Sequence, residues 1–150
     1  MTKVHNFSAG PAILPKEVIQ SCIDALQNFE NTDLSLIEVS HRSKEFVAVM
    51  DEACHLVKKI MKLGDDYDVI YLQGGASTQF LMTVMNLLEN KAAYTNTGTW
   101  AKKAIKEAKA FGSVDILGSS EDKNFSYIPK DYIVADDYDY FHCTSNNTIS

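Results

Sequence analysis

The chain has 150 residues, with 14 Lys+Arg against 20 Asp+Glu and a net charge of −6 at pH 7. That length suits one domain of ordinary size, and 45% hydrophobic with 23% charged residues is a globular mixture that argues against disorder. An acidic chain has no electrostatic case for a nucleic-acid backbone or an anionic membrane, so any bound phosphate must be held locally, by placed amides or one or two cations.

Asn6 to Leu14 is an irregular segment around Phe7-Ser8-Ala9-Gly10-Pro11. Pro15 suits the first position of a helix, where its missing N–H is not needed. Val18, Ile19, Cys22, Ile23, Leu26 and Phe29 then fall at helical spacing, and Asn31-Thr32-Asp33 closes that helix. A polar connector, Leu34 to Arg42, leads to a long helix from about Ser43 to Leu63. Phe46, Met50, Ala53, Val57 and Ile60 give it one apolar stripe, with Ser43 to cap its start and Gly64 its end.

Past Gly64 the pattern alternates strand and helix. Residues 67–72, 92–96, 114–117 and 138–144 read as strands, and 78–88 and 100–111 as helices. The stretch 118–129 reads as loop. The organisation is a segment 1–15, a helical region with connector 16–63, and a wound part 64–150. Such units imply an α/β fold with a mainly parallel sheet, right-handed crossovers and flanking helices. Ligands in such sheets collect at the carboxyl ends of the strands. The chain stops just after a strand-end loop, so a piece of a longer chain is expected.

The start, Met1-Thr2-Lys3-Val4-His5, has no signal-peptide apolar core, and no apolar run approaches the ~18 residues of a membrane span. Cys22, Cys54 and Cys143 are odd in number and far apart. They read as three buried thiols in a reducing cytoplasm, not as a disulfide framework or a metal site.

Gly74-Gly75-Ala76-Ser77-Thr78 stands between an expected strand and a helix. Two glycines allow a sharp turn, and the following N–H groups and hydroxyls form an anion site at a helix N-terminus. The motif is neither a dinucleotide nor a P-loop fingerprint. A plain turn capped by Ser77 fits equally. Trp100, the single tryptophan, follows Gly98-Thr99 at the next such turn, where it can stack on a flat ring or simply fill the core. Asn146 and Thr148 belong to the same sheet edge, as ring-bonding groups or as a polar loop. His41-Arg42 offers a fork for a carboxylate or phosphate, or a solvated pair. His5, His55 and His142 have no ligand spacing, and His55 reads as a helix-face residue.

Together the motifs resemble the N-terminal part of the phosphoserine aminotransferase family, class V aminotransferases of PLP fold type I. The resemblance rests on Asn6 to Ala12 with Leu14-Pro15, Glu38 to Arg42 with Lys44-Glu45-Phe46, and Gly74 to Ser77 with Gln79-Phe80. Gly98-Thr99-Trp100 with Ala104 to Ala108 and Asn146 to Ile149 complete it, in family order.

The resemblance implies amino transfer from glutamate to 3-phosphohydroxypyruvate in serine biosynthesis, and in some organisms a role in PLP synthesis through 4-phosphohydroxythreonine. It implies pyridoxal 5'-phosphate as cofactor and a cytoplasmic homodimer with shared active sites. Ala76 and Ser77 would bond the PLP phosphate, Trp100 would stack on the ring, and Thr148 would bond near its phenolic oxygen. Arg42 would bind the anionic substrate with His41 beside it. Residues 64–150 would be the first part of the PLP-binding large domain.

The family's Schiff-base lysine and the aspartate at its ring nitrogen would lie beyond Ser150, leaving no catalytic residue in this stretch and no activity in it alone. Two positions depart from the family: Ala9, where a second serine is common, and Ser77, where some members carry arginine. Other readings are a different class V enzyme, such as a small-amino-acid:glyoxylate aminotransferase, or a non-catalytic anion-binding module.

Overall fold

The computed structural model describes residues 4–148, and the chain divides into two units, Met1–Leu72 and Gln73–Ser150. In the first unit, helix α1 (Lys16–Gln27) starts one residue later than the sequence suggests. Pro15 is its N-cap, in extended conformation, with its carbonyl accepting from the Ile19 N–H at 3.2 Å. The helix ends at Gln27 because Asn28 turns to φ −155°. Phe29 therefore leaves the helical row and joins a 3₁₀ turn, Phe29–Asn31, where it is buried near Phe46 with ring centroids 6.5 Å apart. Val18, Ile19, Ile23 and Leu26 remain 43–50% exposed.

Helix α2 (Lys44–Met61) has the expected cap, with the Ser43 side chain accepting from the Phe46 N–H at 3.3 Å. Such a cap is worth roughly 1 kcal/mol. Phe46, Met50, Ala53 and Val57 form a half-buried stripe, but Ile60 is 76% exposed and falls off it. The helix ends at Lys62, which takes the left-handed conformation at φ 56° and donates its N–H to the Lys58 and Lys59 carbonyls. Gly64 is not the cap. With the last carbonyls already met, the turn closes before the glycine is reached.

Residues 67–72 form no strand and pair with none among the described residues, and Ile70, Tyr71 and Leu72 are more than half exposed. An apolar run signals burial, whereas a strand also needs a neighbour to bond. Cysteine burial also departs from expectation. Cys22 and Cys143 are exposed, and Cys54 is half-buried, its thiol 3.7 Å from the Val69 carbonyl. Helical spacing places a residue on a face, and covering that face is a separate matter. All three thiols are free.

The second unit runs α3 (Ala76–Leu87), β1 (Lys91–Asn96), α4 (Thr99–Lys109), β2 (Ser113–Ser119) and β3 (Tyr140–His142). The strands form one parallel sheet in the order β2-β1-β3, so the expected α/β class holds. β2 runs two residues past its expected end, and β3 is shorter than expected.

β1 is the central strand, buried from Ala92 to Asn96. On one face Ala92 and Tyr94 pack with Val84 of α3 and with Ala104, Ile105 and Ala108 of α4. The i, i+4, i+7 spacing of Ala101, Ile105 and Ala108 turns one side of α4 inward, and the small residues let the helix lie close to the sheet. Tyr94 and Tyr140 share a hydroxyl hydrogen bond of 2.7 Å in this core. Burial, and then that bond, pushes the Tyr94 phenol far above its usual range, so it stays neutral.

Candidate active site

The carboxyl end of β3 with the loop after it and the amino ends of α3 and α4 surround a cleft of about 410 Å³. Ala76, Phe80, Trp100, His142, Thr144 and Thr148 are among its lining residues. All belong to the second unit.

α3 enters the cleft through the glycine turn. Gly74 has φ +106°, and a Cβ there would sit 2.8 Å from the Thr78 hydroxyl, so only glycine makes this turn without strain. Gly75 is the N-cap, and no side chain caps the helix. Ser77 therefore does not play the capping part that a plain turn would give it. The Gly75 carbonyl takes the Thr78 and Gln79 N–H groups at 3.0 and 3.3 Å. The Ala76 and Ser77 N–H groups have no partner among the described residues, and both residues are exposed. The positive end of the helix is thus open to an anion.

Trp100 opens α4 and is half-buried, not a core residue. Its indole N–H donates to the Thr148 hydroxyl at 2.8 Å. That bond joins two residues singled out from the sequence, 48 positions apart. Asn146, the third of that group, is exposed and lines the cleft.

Sequence reasoning missed three contributors. His142 lies on the floor, its ring stacked on Tyr94 at 5.0 Å and edge-on to Phe80 at 6.0 Å. Burial holds its imidazole below the usual value, so it is neutral near pH 7. Its Nδ1 and the Thr144 hydroxyl are buried and find no partner among the described residues. Asn147 supports the α4 end from behind. Strand alternation places His142 beside Tyr94 once the register is known, but the register itself is a tertiary fact.

Arg42 and His41 stand in the first unit, both exposed, in the turn before α2, where the Arg42 N–H donates to the Ser40 hydroxyl at 3.2 Å. Ala9 is exposed in the N-terminal segment. Ile149, the end of the last motif, and Met1-Thr2-Lys3 lie outside the described residues. Among the described residues no cluster of three or more His, Cys, Asp or Glu could hold a metal, and no helix is long and apolar enough to cross a membrane.

Residues 4–150 match the profile of the family Aminotransferase class-V. The chain is 58% identical over 147 residues to a phosphoserine aminotransferase of Parabacteroides distasonis, covering 98% of this chain and 41% of that protein. Its fold is similar to a phosphoserine aminotransferase solved for radiation damage of its Schiff base, with a TM-score of 0.90 and 39% identity over 98% of this chain and 42% of that one. It is also similar to a PLP-bound phosphoserine aminotransferase from Trichomonas vaginalis, with a TM-score of 0.85 and 29% identity over 97% of this chain and 42% of that one. The chain spans about two fifths of the length of these relatives. An open helix end and a pinned indole at the edge of a parallel sheet, with a family match over nearly every residue, place this chain in the class-V aminotransferase family.

Proposed function

We propose that this chain is the N-terminal part of a phosphoserine aminotransferase, which moves an amino group from glutamate to 3-phosphohydroxypyruvate and yields phosphoserine and 2-oxoglutarate. The observation that carries this reading is the cleft itself, where an open helix N-terminus and a half-buried indole face one sheet edge.

The cleft suits PLP on three counts. It offers the start of α3, where Ala76 lines it and the Ala76 and Ser77 amides are free for a phosphate, a flat ring for a flat ring, and orphaned buried polar atoms on Thr144 and His142. When bound, PLP supplies the electron sink that lets an amino group be taken up and handed on. The chain's own residues position and shield. The Ala76 and Ser77 amides and the Ser77 hydroxyl hold the phosphate at the positive end of α3. Trp100 covers one face of the ring and excludes water from it. Thr148 already accepts from the indole N–H, so its own hydrogen is free to donate to the ring's phenolic oxygen. His142, neutral, brings no competing charge.

Arg42, with His41, binds the substrate phosphate, which carries close to two charges at neutral pH. Ala9 offers no hydroxyl to that substrate, and Ser77 no guanidinium, so Arg42 and His41 carry more of its charge. The whole enzyme is a cytoplasmic homodimer with shared active sites, and residues 64–150 begin its cofactor-binding domain. The 150-residue stretch alone is inactive, because the Schiff-base lysine lies outside it.

The test is the full-length enzyme loaded with PLP and supplied with glutamate and either 3-phosphohydroxypyruvate or glyoxylate. Faster 2-oxoglutarate formation with the phosphorylated acceptor is the expected result. Preference for glyoxylate makes it a different class V enzyme, and a folded protein that takes up no PLP removes the reading altogether.

A further inference from the structure

α4 begins with a helix end that its own sequence cannot cap. Its N-cap is Gly98, at φ +152°, with no side chain to offer. The cap comes instead from the loop after β3. The Asn147 Oδ1 accepts from the Trp100 N–H at 3.1 Å and the Ala101 N–H at 3.3 Å. Its Nδ2 donates to the Thr97 carbonyl at 3.0 Å and the Thr97 hydroxyl at 3.2 Å. One amide thus uses both donors and both acceptor sites on the turn that presents Trp100. The fit is close: a Cβ on Gly98 would stand 2.6 Å from the Asn147 Cγ. The next residue, Thr148, holds the indole N–H of the same tryptophan. Lys103, which does not line the cleft, lies 4.3 Å from the indole ring.

We propose that Asn147 is a positioning residue for Trp100, fixing its backbone while Thr148 fixes its ring, so that the loop after β3 sets the plane of the indole in the cleft. The proposal rests on the reading of that cleft as a PLP site. Asn147 touches neither cofactor nor substrate and acts through Trp100.

The experiment compares Asn147→Ala, Asn147→Asp, Trp100→Ala and the double variant Asn147→Ala/Trp100→Ala in the full-length enzyme. PLP affinity is measured by equilibrium dialysis, and melting temperature alongside it. Asn147→Ala is expected to weaken PLP binding about three- to tenfold, the upper end being the loss of a whole aromatic stack. Asn147→Asp is expected to recover only part of that loss, since a carboxylate still accepts both N–H groups at a helix N-terminus but can no longer donate to the Thr97 carbonyl. In the Trp100→Ala background Asn147→Ala should change affinity less than about twofold, because the residue it acts through is gone. A lowered melting temperature with unchanged affinity, or an equal loss in both backgrounds, overturns the proposal. If Asn147→Ala does not fold, Asn147→Ser is compared with Asn147→Asp in the same two backgrounds.

A second readout needs no cofactor. In cofactor-free protein Asn147→Ala should speed amide exchange at Trp100 and Ala101 and shift the Trp100 indole N–H resonance. An unmoved resonance overturns the proposal. A wild-type protein that binds no PLP, with the resonance shifted as expected, overturns the cofactor reading and leaves the positioning role standing.

Discussion

Trp100 separates a stacking residue from a core one by how much of it is covered. A core tryptophan cut to alanine costs about 3–5 kcal/mol of stability. Trp100 is only half-buried, and its indole N–H is already satisfied by Thr148. Its loss should be felt in binding. Stacking is worth roughly 0.5–1.5 kcal/mol beyond area burial, or up to about tenfold in affinity. In the full-length enzyme Trp100→Ala should therefore lower PLP affinity by up to about tenfold and lower the rate, with the fold intact. Melting temperature and cofactor affinity measured together decide the matter. A large stability loss with unchanged affinity in the folded fraction would return Trp100 to the core.

At the scale of elements, β1 is set by what meets its entrance as well as by its own apolar residues. A single carboxylate oxygen of Asp139, just before β3, accepts from the backbone N–H groups of Glu89, Asn90 and Lys91 at 2.8, 2.5 and 2.9 Å. These bonds, that to Asn90 foremost, hold the Asp139 carboxyl below its usual value. A depressed carboxyl contributes stability that is full above the unfolded value of about 3.9 and lost as pH falls through the folded value. Asp139→Asn should lower the urea midpoint at pH 7, and its gap from wild type should narrow as pH falls below about 4. A gap that stays constant with pH would mean the charge plays no part. Asp139 also shows what the sequence leaves hidden. Local signals were readable where one element satisfies itself: the Ser43 cap and the stripe Phe46-Met50-Ala53-Val57. They failed where a partner from elsewhere decides. Residues 67–72 have a strand's composition but no paired neighbour among the described residues, Phe29 is buried outside the helix that its spacing suggested, and α4 is capped by Asn147 from beyond β3. The resemblance found Trp100 and Thr148 as separate site residues, and only the structure joins them by a hydrogen bond.

At the scale of the whole molecule, the residues expected to meet the cofactor and those expected to meet the substrate belong to different units of the chain. Ala76, Ser77, Trp100 and Thr148 are in Gln73–Ser150, and His41 and Arg42 are in Met1–Leu72. A guanidinium fork answers a dianionic phosphate better than an ammonium, so Arg42→Lys should not be conservative. Losing one charge-assisted contact is worth about 1.5–3 kcal/mol, on the order of ten- to a hundredfold in kcat/KM. If the proposed homodimer shares its active sites, Arg42 serves the partner's cleft. Two full-length variants, the impaired Arg42→Ala and an inactive one lacking the Schiff-base lysine, are then mixed under conditions that exchange subunits. Each hybrid dimer would hold one site with both residues intact, and activity should return toward one working site per hybrid. Hybrids that form, as mass measurement would show, yet remain inactive would mean that Arg42 acts within its own subunit or not at all. A kcat/KM for Arg42→Lys equal to wild type would remove Arg42 from substrate binding, because a contact worth a factor of ten cannot be lost without trace.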